Sequence, residues 1–173
     1  MKEIIHNSYN LKEEEINHVV SRVKILMINS KNEVLLGYAH GIYQFIGGHV
    51  EDNEPFIESV IREAKEETGI DLQIDNIEPF LVIKHYRKDI PEVGKNRLSQ
   101  IFYFIVNTDE VINLESTNYT DDEKEGNFDL RYIHLDNVDS ILIENIPNNE
   151  QNKVIAQEML DALNEYRNIL SYS

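Results

Sequence analysis

The sequence predicts an α/β fold in which a mixed β-sheet lies between helical layers, and three observations carry that expectation. Short β-branched and apolar runs recur along the chain, and two longer segments repeat their apolar residues at helical spacing. No internal repeat, low-complexity tract or interdomain linker interrupts the 173 residues, so a single domain over 1–173 is expected. With 41% hydrophobic and 28% charged residues, the composition is ordinary for a chain that builds a packed core.

Residues 1–18 are polar, and Leu11 to Ile16 reads either as a short helix or as an extended arm. Val19 to Asn29 is β-branched and apolar, Ser30-Lys31-Asn32 is a turn, and Glu33 to Tyr38 resumes the pattern, which predicts a hairpin. Ile42 to Ile46 predicts a short strand that leads into Gly47-Gly48. Pro55, suited to a first helical turn, and Gly69, suited to a stop, bracket a helix of about four turns. Phe80 to Arg87 and Arg97 to Val106 predict strands joined through Asp89 to Gly94. Because Ile101 to Val106 is apolar on both faces, that strand is expected at the centre of the sheet. An acidic, irregular connection covers Asp109 to Asn127. A strand over Leu130 to Leu135 and a short helix near Val138 to Ile143 come next. Asn152 to Leu170 carries Ile155, Met159, Leu163, Tyr166 and Leu170 at helical spacing, a core-packing stripe.

Sixteen Lys and Arg stand against 32 Asp and Glu, a net charge of −16. Such a chain repels polyphosphate backbones and anionic membranes at long range, so neither extended nucleic acid nor a membrane is an expected partner. The chain has no cysteine, which removes disulfides, thiolate metal sites and a cysteine nucleophile. It shows no signal peptide and no long apolar run, and a cytoplasmic protein is expected. Its oligomeric state is not written in these features.

Function concentrates in Gly47 to Ile70, GGHVEDNEPFIESVIREAKEETGI. Along the helix, Phe56, Val60 and Ala64 form an apolar stripe flanked by Ile57 and Ile61. Glu63, Glu66 and Glu67 fall within an arc of roughly 100° on another face. An acid-rich chain can carry such a trio on a solvated surface. Like charges at this spacing nevertheless destabilise a helix unless a cation sits among them, and clustered carboxylates suit Mg²⁺ or Mn²⁺. Gly47 and Gly48 let the backbone come close to such an ion or to a phosphate.

Gly48, five residues, Glu54, seven residues, then Arg62-Glu63-Ala64-Lys65-Glu66-Glu67-Thr68-Gly69-Ile70 resembles the Nudix box at every fixed position. From the residue frequencies, such a match arises by chance on the order of once in 10⁵ to 10⁶. The box covers 23 of the 173 residues, and the surrounding strands and helices also look like the fold of the Nudix hydrolase family, an α/β/α sandwich. One departure is Ile46, where many relatives have proline, which bears on the rigidity of the turn.

The resemblance implies a metal-dependent pyrophosphohydrolase that cleaves a diphosphate bond in a nucleoside diphosphate linked to another group. A small nucleotide would then be the partner, with Mg²⁺ or Mn²⁺ as cofactor. Carried over by position, Glu66 and Glu67 look like metal ligands with the Gly47 carbonyl, and Glu63 is either a ligand or the base, so Glu63, Glu66 and Glu67 form the catalytic set. Arg62 is expected to pair with Glu54 and fasten the loop to the helix. Glu115, Glu123 and Glu125 are candidates for a downstream carboxylate. Tyr86, Arg87 and Arg97 are candidate substrate contacts, because the segment from Lys84 to Arg97 holds five of the 16 cations and Tyr86 offers a face for a base. Tyr86 lies 16 residues beyond Ile70, an offset that resembles a feature of dinucleoside polyphosphate hydrolases. The alternative function is a nucleotide sensor on the same fold that binds without turnover.

Overall fold

The structure, a computed structural model, describes residues 1–146 and 150–172. Seven strands form one mixed sheet: β1 (Lys2–His6), β2 (His18–Ile28), β3 (Glu33–Ala39), β4 (Ile42–Phe45), β5 (Ile77–Arg87), β6 (Arg97–Asn107) and β7 (Asp129–His134). Among the described residues, four α-helices accompany them: α1 (Phe56–Thr68), α2 (Asp121–Glu125), α3 (Val138–Asn145) and α4 (Glu150–Tyr172). The strand order is β1-β5-β6-β2-β3-β4, with β7 on β3. This is the α/β architecture with a mixed sheet that the sequence predicts.

The sheet has two parts. In the first, β1 runs parallel to β5, β5 antiparallel to β6, and β6 parallel to β2 over eleven paired positions. In the second, β3 pairs antiparallel with both β4 and β7. A thin seam joins them. The expected hairpin of β2 and β3 is a single paired position, Ile28 with Val34, because the rest of that edge of β2 bonds to the segment from Ile46 to Val50. Two isolated bridges, Ile25 with Ile46 and Arg22 with His49, complete the junction and lay the segment after β4 along β2.

Side chains alternate across β2, as a strand requires. Val23, Ile25 and Met27 join Val60 and Ala64 of α1 in one apolar cluster. Leu26 and Ile28 join Ile101, Tyr103 and the buried stripe of α4 in the other, on the opposite face. Arg22 and Lys24 continue the α4 face toward the beginning of β2, where the sheet parts.

Three elements differ from expectation. Lys2–His6 is a strand on the edge of β5, and the remainder of the polar start includes a 3₁₀ turn over Glu13–Glu15. Within the acidic connection, Thr120 caps the one-turn α2 by accepting from the Glu123 amide, while the Glu123 carboxylate accepts from the Thr120 amide. In α4, Met159, Leu163 and Tyr166 are buried, but Leu170 is exposed, and its neighbour Ile169 packs against the core instead. Interior placement of β6 between β5 and β2 agrees with its apolar faces.

Candidate active site

Pro55 precedes α1 with φ −63°, and Gly69 ends it in the left-handed conformation at φ +73°. A side chain at Gly69 would stand 2.0 Å from the Asn113 carbonyl oxygen, so both φ and space require glycine. The buried residues of the helix are Ser59, Val60, Glu63, Ala64, Glu67 and Thr68. Two of the three glutamates thus sit on the covered side, next to the apolar stripe, and Glu66 stands at its border.

Arg62 organises this surface. Its Nε and Nη2 donate to the two carboxylate oxygens of Glu54 at 2.8 and 3.0 Å, a bidentate fork, and Nη2 also reaches the His49 carbonyl at 2.9 Å. The same guanidinium donates through Nη1 to Glu63 at 2.8 Å and Glu66 at 3.0 Å. Hydrogen bonding to Arg62 holds the Glu54 carboxyl down at about 2. The Glu63 carboxyl is pushed up by burial, against the opposing pull of Arg62.

The double glycine has a separate reason at each position. Gly47, at φ +127°, lies so close to β2 that a Cβ would stand 2.3 Å from the Val23 carbonyl oxygen. At Gly48 a Cβ would meet the Glu63 carboxylate at 2.6 Å. Ile46, in place of proline, is buried and its carbonyl accepts from the Ile25 amide at 2.8 Å, so the β2 bridge holds the turn.

The Gly47 amide donates to Glu67 Oε1 at 3.0 Å. Glu67 is 4% exposed, and its other oxygen, Oε2, is buried without a hydrogen-bond partner. Burial drives the Glu67 carboxyl up to about 8, against the opposing effects of Lys24 and the Gly47 amide. Lys24 Nζ donates to the Phe45 carbonyl at 3.0 Å and to the Gly47 carbonyl. Burial lowers the pKa of this ammonium, and Glu67 and Glu63 work in the opposite direction.

These contacts bear on the expected metal. The oxygen donors fit a hard divalent cation, and the orphaned Glu67 Oε2 is the atom such an ion would satisfy. Among the described residues, however, no three acidic or imidazole groups converge on one point. Arg62 draws Glu63 and Glu66 to itself, and Lys24 holds the Gly47 carbonyl. Repulsion within the trio is therefore already relieved by the chain's own cations, so the argument from repulsion does not by itself call for a metal.

A cleft of about 910 Å³ opens over this surface and runs between β2, β6 and the first turns of α4. Gly47, Glu63, Glu66, Glu67 and Arg62 line one end, and Arg87, Arg97 and Ser99 line another wall. Tyr86, paired with Leu98 across the strands, is not among the lining residues. Neither are Lys84, Lys88 and Lys95 of the cationic segment; Lys84 pairs with Glu3. Of the downstream carboxylates, Glu123 lines the cleft with Asp122, whereas Glu115 and Glu125 do not.

Sequence reasoning passed over Arg22, Lys24, Gln44 and Glu158, which also line it. For Arg22 and Lys24 a signal existed: two charges at alternating positions of a largely apolar strand, His18–Ile28, share one face. His49 lines the cleft too, and burial with the nearby charges of Arg22 and Lys24 keeps its imidazole below the usual range.

The profile of the NUDIX domain matches residues 18–157, and the chain belongs to that family. Membership of this family supports an enzyme of the pyrophosphohydrolase class. Among solved structures, the mutator MutT protein from Bacillus halodurans is 24% identical, with 70% of this chain and 72% of that one covered at a TM-score of 0.53. An Ap4A hydrolase from C. elegans, solved as a binary complex, is 18% identical and covers 89% of this chain and 99% of its own at a TM-score of 0.53. At these identities the likeness is one of fold. No curated protein matches the chain.

Proposed function

We propose that this protein is a divalent-metal-dependent pyrophosphohydrolase that cleaves a diphosphate bond in a nucleoside diphosphate linked to another group. The observation that carries the proposal is Glu67 Oε2, a buried carboxylate oxygen without a partner, beside the Gly47 turn in a residue that lines the cleft. Glu66, Glu67 and the Gly47 carbonyl would hold Mg²⁺ or Mn²⁺, with Glu63 as a further ligand or as the base. When bound, such an ion neutralises charge on the diphosphate oxygens and lowers the pKa of water.

The chain's own residues do the rest. The Glu54–Arg62 fork fixes the loop to α1, so the Gly47 turn and the glutamates keep one geometry. Through Gly47, Lys24 ties that turn to β2 and places a positive charge near Glu63 and Glu67. His49 faces the cleft beside them. The substrate is a small nucleotide derivative, in keeping with a cleft of limited size on a chain of net charge −16.

Excess chelator should abolish turnover of a panel of nucleotides, and Mg²⁺ or Mn²⁺ should restore it. E67Q keeps the shape but removes a charge, and turnover is expected to fall at least about 10²-fold. Full activity in E67Q or in chelator would overturn the mechanism. A second function, a nucleotide sensor without turnover, draws support from Arg62 and Lys24, which occupy donors that a metal would need. Nucleotide binding with no product from any member of the panel would decide for it.

A further inference from the structure

The chain has six arginines, and they divide by their partners. Arg62, Arg131 and Arg167 each hold a carboxylate. Arg22, Arg87 and Arg97 form no ion pair among the described residues, and all three line the one cleft. With 32 acids available, this segregation is not what a solvated surface produces.

Their placement makes the arrangement costly without an anion. Arg87 and Arg97 are directly opposite each other on β5 and β6, where like charges destabilise a sheet. Arg22 is on the neighbouring strand, and Arg97 is close enough to oppose its charge. Arg97 Nε is buried without a hydrogen-bond partner. Ser99, two residues along on the same face, is 5% exposed, and its hydroxyl is also buried and unpartnered. Glu158 of α4, the acid on this side of the cleft, is 2.7 Å from His85 Nε2 and favours the Arg22 charge from a distance, but it forms no ion pair with Arg22, Arg87 or Arg97 among the described residues. Two orphaned donors between repelling guanidinium groups, in a pocket that also holds the glutamates, define a built anion site.

Resting on the proposed hydrolase function, we infer that Arg22, Arg97 and Ser99, with Arg87 beside them, form a subsite for a phosphate of the substrate other than those at the glutamates. The preferred substrate then carries a third phosphate, as a nucleoside triphosphate or a longer polyphosphate does, and a nucleoside diphosphate joined to a neutral sugar leaves the subsite unfilled.

The test compares kcat/KM for a nucleoside triphosphate and a nucleoside diphosphate sugar in wild type, R22Q and R97Q. In parallel, the Tm of each protein is measured in chelator with and without inorganic tripolyphosphate, against sulfate at equal ionic strength. Wild type is expected to prefer the triphosphate, and each variant to lose about tenfold or more on it while staying within about twofold on the sugar nucleotide. Tripolyphosphate should raise the Tm of wild type and not of the variants. Both variants relieve repulsion, so their Tm without anion should equal or exceed that of wild type. R97K, which keeps the charge and loses the fork, should show a smaller loss of preference and serves if R97Q does not fold. Equal losses on both substrates would overturn the inference. Unchanged preference with lost tripolyphosphate binding would mark a site for free phosphate and overturn the assignment to substrate. If wild type turns over nothing, the hydrolase proposal fails, and the tripolyphosphate arm still decides whether the anion site exists.

Discussion

Glu54 and Arg62 carry a pH signature that follows from their geometry. The Glu54 carboxyl sits at about 2 in the folded protein against 4.5 for the free group, because Arg62 donates to both of its oxygens. The folded value is the lower one, so the stabilisation is present above about 4.5 and is lost as pH falls through about 2. Chemical denaturation at a series of pH values should therefore show wild type losing stability more steeply than E54Q across that window. R62A should speed amide exchange in the loop from Gly47 to Glu54. A rise in KM alone, with unchanged exchange, would make Arg62 a phosphate ligand instead. Lys24 is the other residue that the site turns on. K24M removes the donor to the Phe45 and Gly47 carbonyls and the cation beside Glu67, and a loss of about 2 kcal/mol in the metal-free protein is expected by urea denaturation.

At the level of elements, the seam between the two parts of the sheet decides where chemistry can happen. β2 bonds along one edge to β6, while on its other edge β3 pairs at one position only and the segment after β4 returns to bridge Ile25 and Arg22. The double glycine lies in that return. G47A would drive a methyl against the Val23 carbonyl oxygen at a backbone angle that L residues avoid. The expected cost is about 2 kcal/mol, together with loss of the Gly47–Glu67 hydrogen bond and of turnover. G69A, at the end of α1, meets the Asn113 carbonyl in the same way but lies away from the cleft. It should lower stability by a similar amount while the folded fraction stays active, and paired denaturation and activity measurements separate the two.

For the whole molecule, the family match ends at residue 157, yet the fold does not. Met159, Ala162, Leu163 and Tyr166 of α4 are buried in the cluster that backs β2, β5 and β6. β1 covers the edge of β5, beyond the other end of the match. A fragment of residues 18–157 would expose that cluster and that edge, and it should show no cooperative thermal transition by circular dichroism. Among the described residues, no helix is long and apolar enough to cross a membrane.

The sequence by itself determined the sheet-and-helix pattern, the limits of α1 and the glutamate trio, since periodicity, proline and glycine act over a few residues. It did not reveal β1, whose five residues are mostly exposed and become a strand only because β5 offers an edge. Nor did it place Tyr86 off the cleft or Arg22 and Lys24 in it, because a charge on a strand takes its meaning from what the opposite wall presents. Tertiary structure decided that Arg62 and Lys24 neutralise the glutamates and that the unpaired arginines share one cleft. The physical reason is that charge compensation depends on distances between residues 24, 47 and 67, or 22, 87 and 97, which only the closing of the sheet onto its helices sets.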